Sequence, residues 1–174
     1  TVPRVYVASL SDYNAGRLHG IWIDLDRDLD DVWDAVRSML AASPEGDAEE
    51  FAIHDYEGFA PVHIDEYENL ETVVKVAHGI ITHGEAYACW ADDLGSRNWD
   101  ELDNFENVYT GTYETLRDYA EELLDAFGID PDPNSWAPEL LAPYVRVDLD
   151  AFAEGLRDIE HICEGPTRIH VFAP

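Results

Sequence analysis

Thirty-eight Asp and Glu residues stand against ten Lys and Arg in this chain, giving a formal net charge of −28. Charge of that size repels itself and works against any compact state. Something must favour keeping it: solubility in brine, cation binding or a basic partner. The acids form no single tail. They are interleaved with apolar residues along segments 24–34, 65–71, 92–106, 114–125 and 148–164. Nine of the ten cations are Arg, and Lys75 is the only Lys.

The rest of the composition bounds the answer. At 174 residues, 46% hydrophobic and 11% aromatic, the chain suits one ordinary domain or two to three small ones, and can bury a real core. No five-residue window holds more than one Lys or Arg, so direct nucleic-acid binding and contact with an anionic membrane are both excluded as expectations. The first residues read as a strand rather than a leader, and no apolar run approaches the ~18 residues of a membrane span. A cytoplasmic location follows as an expectation. Cys89 and Cys163 are too few for a disulfide framework and read as buried free thiols.

Periodicity predicts an α+β fold. Segments 4–9 and 17–25 read as strands around a polar turn at 11–16. Leu29, Val32, Trp33, Val36, Met39 and Leu40 mark an amphipathic helix, and 51–54 a third strand. This gives a β-β-α-β module over 1–62. Leu70, Val73, Val74, Ala77, Ile80 and Ile81 form a helical stripe stopped at Gly84. A second helix over 85–94 ends at Gly95, and a third covers 99–105. These make a helical module over 63–107. The module 108–174 is mixed. Leu116, Tyr119, Ala120, Leu123, Leu124 and Phe127 mark a helix stopped by Gly128. Pro131, Pro133 and Pro138 mark an irregular connection, and 143–147 reads as a strand. Leu149, Phe152, Ala153 and Leu156 mark a last helix, and 159–163 with 168–172 a hairpin.

Catalytic and metal motifs fail on spacing. Asp24, Asp26 and Asp28 alternate as in a calcium loop, but Leu29 and Ala35 occupy the places where an EF-hand needs Gly and Glu. They read instead as a strand end leading into an acidic helix N-terminus. His78, His83 and Cys89 match no zinc spacing. His54-Asp55 beside His63 could form a catalytic pair, which requires a pocket around them. Gly79 to Gly84 lacks the dinucleotide-binding pattern, and neither a P-loop nor a GxSxG elbow occurs. The expectation is a non-enzymatic protein with no catalytic residue, metal or cofactor.

The acid array is the remaining candidate site. It comprises Asp24, Asp26, Asp28, Asp31 and Asp34, then Asp65, Glu68 and Glu71. Asp92, Asp93, Asp100, Glu101 and Asp103 follow, then Glu114, Asp118, Glu121, Glu122 and Asp125. Asp148, Asp150, Glu154 and Asp158 complete it. On a helix, residues three and four apart lie ~5–6 Å from each other, and duplex DNA carries one charge per ~1.7 Å of axis. If every net charge acted as a phosphate, one chain would match about 14 base pairs as an upper bound. Composition leaves three readings open: salt adaptation, a generic acidic interaction module, and DNA mimicry.

Four stretches resemble one family. They are Tyr6 through Asp24; Glu50 through Phe59; Asn104 to Tyr109 with Gly111, Thr112, Tyr113, Leu116, Asp118, Tyr119 and Ala120; and, more loosely, Asp148, Phe152, Ala153 and Leu156 before Val171 and Phe172. Together these resemble the ArdA antirestriction proteins over nearly the whole length. The resemblance implies an elongated, three-module, homodimeric protein carried on mobile elements. It implies mimicry of bent B-form DNA and occupation of the DNA groove of type I restriction-modification enzymes. Across a dimer the charge bound doubles to about 28 base pairs. The matching stretches are rich in aromatic and Gly residues, which are read as shaping the fold, so none is carried over as functional.

Overall fold

A computed structural model describes residues 1–46 and 48–174, with the side chain of Ser96 left out. The chain divides into two compact units, Thr1–Asp103 and Asn104–Pro174. The class is α+β, as the sequence predicts, with two small antiparallel sheets.

Unit one opens with β1 (Arg4–Ser9), α1 (Leu10–Asn14), β2 (Gly20–Asp24), α2 (Leu29–Ala41) and β3 (Phe51–Glu57). The sheet order is β2-β1-β3, with Val5 opposite Ile23 and Tyr56. Val5 and Val7 are fully buried while Arg4 and Tyr6, which alternate with them, are not, the alternation of a sheet with one covered face. Val32, Val36 and Met39 of α2 supply the cover. The expected turn at 11–16 is instead the helix α1, started by Ser9, whose hydroxyl accepts from the Asp12 amide. The expected strand 17–25 pairs only from Gly20.

Asp12 is the one fully buried carboxylate among the described residues. Its Oδ2 accepts from the Ser43 hydroxyl, just past the end of α2. That hydrogen bond is the largest influence holding its pKa below the ordinary 3.8. Burial opposes it, and Ser9, His19 and Arg17 add to it. Because the folded pKa is lowered, the ionised group's stabilisation is complete above 3.8 and is lost as pH falls through the lower folded value. Asp12→Asn should therefore melt below wild type at neutral pH, with the gap closing below pH ~4. Thermal unfolding of both chains from pH 7 down to 2 measures this, and a gap that stays constant would contradict it.

The unit continues with α3 (Leu70–His83) and α4 (Glu85–Leu94). They are joined at Gly84, whose φ of +66° suits glycine alone without strain. The third helix expected at 99–105 is a 3-10 segment, Ser96–Asn104, with a non-helical Asn98 inside it. It is tied back by Trp99, whose indole donates to the Ala91 carbonyl at 3.1 Å. Ile81, placed in the core stripe by periodicity, is 46% exposed.

Unit two runs α5 (Phe105–Val108), β4 (Tyr109–Tyr113), α6 (Leu116–Ala126), α7 (Leu149–Leu156), β5 (His161–Glu164) and β6 (Ile169–Phe172). Its sheet is β4-β6-β5, so the predicted hairpin forms and gains β4, a strand the apolar pattern does not announce. Leu116, Tyr119, Ala120 and Leu124 of α6 pack with Leu149, Ala153 and Leu156 of α7 and with Val171. Phe127, expected in that stripe, follows the helix and is 68% exposed. The strand expected at 143–147 does not form; Ala142–Tyr144 is a 3-10 turn with Pro143 inside it. The cysteines are also corrected. Both are buried, as expected, but neither is a free thiol.

Candidate functional site

The carboxylates reach the surface because the apolar residues between them do not. Around the end of β2, Ile23 and Leu25 are buried, so Asp24 and Asp26 point out. Asp28 caps α2 in extended backbone without a side-chain cap hydrogen bond. Asp31 and Asp34 follow on the exposed face of α2. Of the predicted array only Glu68 is half-buried; the other members are exposed. Beyond the array, Asp12 is buried, Glu45, Glu85 and Glu160 are half-buried, and every other described carboxylate is exposed.

Exposure does not make these groups equivalent. Some are engaged within the chain. Asp118 closes a capping box: it accepts from the Thr115 amide at 2.8 Å while Thr115 accepts from the Asp118 amide. Arg117 bridges Glu121 on α6 to Asp150 on α7. Arg157 holds Glu154 and Glu164, Arg37 holds Asp34, and Lys75 holds Asp103 at 2.7 Å. Asp148 caps α7 through the Ala151 amide. Glu122 accepts from the Tyr113 hydroxyl at 3.0 Å. Burial, then Glu122, pushes the Tyr113 phenol up to about 12; burial, then Glu160, does the same to Tyr119. Both phenols therefore stay neutral donors. Sequence reading sees the charge of these groups but not their engagement, apart from the Thr-x-x-Asp spacing at 115–118.

Other carboxylates work against their own helices. Asp92 occupies the last turn of α4 and Asp125 that of α6, and neither turn carries a basic residue. A helix C-terminus disfavours anions. Burial, then the neighbouring charge of Asp93, holds the Asp92 carboxyl above its ordinary value. On α6, Asp118 with Glu122 and Glu121 with Asp125 are like-charge pairs four apart, each costing a few tenths of a kcal/mol.

A cleft of about 580 Å³ lies along β3, lined by Tyr13, Ile53, His54, Tyr56, His63, Ile64, Asp65 and Glu66. It gathers His54 and His63, two of the three residues considered for catalysis. Asp55 is left out of it; its Oδ1 accepts from the Tyr56 amide. His63 Nδ1 meets the Tyr56 hydroxyl at 2.8 Å. Among the described residues, no group of three or more His, Cys, Asp or Glu is placed to hold a metal ion. No helix of the described residues is long and apolar enough to cross a membrane.

Fold and surface together define a strongly acidic α+β protein that carries its charge outward on both units. The chain belongs to the antirestriction protein (ArdA) family, whose pattern matches residues 5–164. No individual curated protein matches it.

Proposed function

We propose that the chain acts by presenting its carboxylates in place of DNA phosphates, competing for the DNA-binding groove of a type I restriction-modification enzyme. The observation that carries this reading is the placement of Asp92 and Asp125 at helix ends where they cost stability. Charge kept against the fold's own interest calls for a use outside the fold. Most members of the array, Asp24, Asp26, Asp28, Asp31 and Asp125 among them, are exposed. The target's Lys and Arg would meet them as they meet phosphates, with no catalysis and no cofactor, in the cytoplasm. A homodimer fits the same reading. Phe127, Trp136, Leu140, Leu141 and Tyr144 stand exposed within 127–144, large apolar side chains of the kind that association covers.

The test is inhibition of DNA binding and cleavage by a type I enzyme, beside polyglutamate of equal total charge. Inhibition should compete with DNA and exceed the control. With about 6 to 10 phosphate-like contacts it should weaken roughly a thousandfold or more between ~50 and ~200 mM salt. Inhibition no better than polyglutamate, across several such enzymes, would favour an acidic module that serves solubility in salt.

A further inference from the structure

The acid array leaves one concave feature unexplained, the cleft along β3. Segment 59–66 runs beside that strand and is fixed to it by the Ile53 amide, which donates to the Glu66 carbonyl at 2.8 Å. This anchors Asp65 and Glu66 at the cleft wall, with side chains 64% and 49% exposed. Tyr13, more than half exposed, packs edge-on against His54 with ring centroids 4.8 Å apart. Tyr56 forms the other aromatic wall, held by His63.

The lining is one-sided in its chemistry. No Lys or Arg contributes to it. Glu66 accepts no side-chain hydrogen bond from the described residues, and its Oε1 stands 3.6 Å from His54 Nε2, too far to bond. That imidazole nitrogen is buried without a hydrogen-bond partner. An N–H donor entering the cleft would meet the Glu66 carboxylate, which no side chain of the described residues hydrogen-bonds. Asp65 Oδ1 lies 3.3 Å from His63 Nε2, leaving its second oxygen for another donor. Two carboxylates and two phenol rings, with no Lys or Arg among them, call for a ligand that is cationic, flat and rich in donors. A guanidinium has five N–H groups in a rigid fork and stacks on aromatic faces. An ammonium offers a point charge without that shape.

We propose that this cleft receives an arginine side chain from the DNA-binding face of the protein partner, a specific anchor within an otherwise diffuse electrostatic contact. The identity of the partner rests on the function proposed above; the chemistry of the cleft does not.

The test uses the full chain in two arms. In the first, N-acetyl-arginine methylamide is titrated while NMR follows the His54, His63 and Tyr13 signals. Its lysine and citrulline counterparts serve as comparison. The arginine probe should saturate the cleft, the lysine probe should bind about tenfold more weakly, and neutral citrulline should not bind. Asp65→Asn with Glu66→Gln, and separately Tyr13→Ala, should remove saturation, whereas Asp31→Asn with Asp125→Asn should not. Each replaced side chain is substantially exposed, so folding should persist. Equal response to arginine and lysine, spread over the whole acidic surface and unchanged in the cleft variants, would overturn the proposal. In the second arm, the cleft pair should weaken inhibition of the restriction enzyme at least about tenfold beyond the charge-matched distant pair. Equal loss would remove the cleft from the interface. The titration judges the cleft whether or not the wild-type chain inhibits, so failure of the proposed function is read separately.

Discussion

Gly79→Ala should lower the stability of the chain by about 1–3 kcal/mol, a drop of several degrees in the unfolding midpoint. The sign is the point of interest. Gly79 lies inside α3, where helix propensity alone favours Ala by ~1 kcal/mol. The structure reverses that preference. A Cβ at Gly79 would sit 2.1 Å from Cζ and 2.2 Å from Cε1 of Tyr87, closer than any real carbon contact. The ring cannot swing out of the way, because Tyr87 is only 4% exposed and packs against Trp90. Burial, then Asp103, pushes its phenol up to about 12, which fits a side chain seated in the α3–α4 contact. The second leg of the test is Tyr87→Leu. Alone it costs stability through lost packing, but in its background Gly79→Ala should become neutral or favourable. Thermal unfolding of the four chains yields the coupling. A rise in the midpoint for Gly79→Ala alone would refute the close packing of the two helices.

Such contacts mark the limit of what the sequence discloses. Elements whose own residues carry their cause were legible. The stripe from Leu29 to Leu40 announces α2, and Gly84 and Gly95 bracket α4 at Glu85–Leu94. β4 was hidden because Tyr-Thr-Gly-Thr-Tyr has no apolar alternation; it becomes a strand by pairing with β6, more than fifty residues away in sequence. α1 is five residues long and depends on one cap, Ser9. At 142–144 the chain makes a 3-10 turn where a strand was expected, and Pro143, which lacks the N–H a ladder needs, accounts for it. The same division runs through the surface. Charge favours exposure, so the sequence could name most of the acids that reach the surface, although not the burial of Asp12 or the half-burial of Glu68. Which acids are engaged depends on neighbours that only folding supplies, as Arg117 shows by joining Glu121 to Asp150. The cleft is the extreme case, since Tyr13, His54 and Glu66 meet through the sheet and not through any spacing.

That division selects the residues for the most informative functional test. Asp118 is a poor probe of mimicry, because losing its cap to the Thr115 amide would disturb α6 as well as remove a charge. Asp24, Asp26, Asp28 and Asp31 are better: all are exposed, and the Asp28 side chain makes no cap hydrogen bond. Asn replaces each at nearly constant volume and is an equally good N-cap at position 28. If the array works by summed charge, each single Asp→Asn change should weaken inhibition by only about two- to fivefold, the range of exposed ion pairs. The four together should weaken it by about tenfold to several hundredfold, and the dependence on salt should become shallower. Stability should not follow. Fewer like charges over 24–31 means less self-repulsion, which offsets the favourable helix-dipole interaction lost by Asp31 in the first turn of α2, so the quadruple variant should melt close to the wild-type temperature. Loss of inhibition together with unchanged stability is a pairing that a merely structural role for these aspartates cannot produce. Abolition of inhibition by one of the four alone would point to a localised site on unit one and against mimicry by distributed charge. Full inhibition by the quadruple variant would remove this face from the contact altogether.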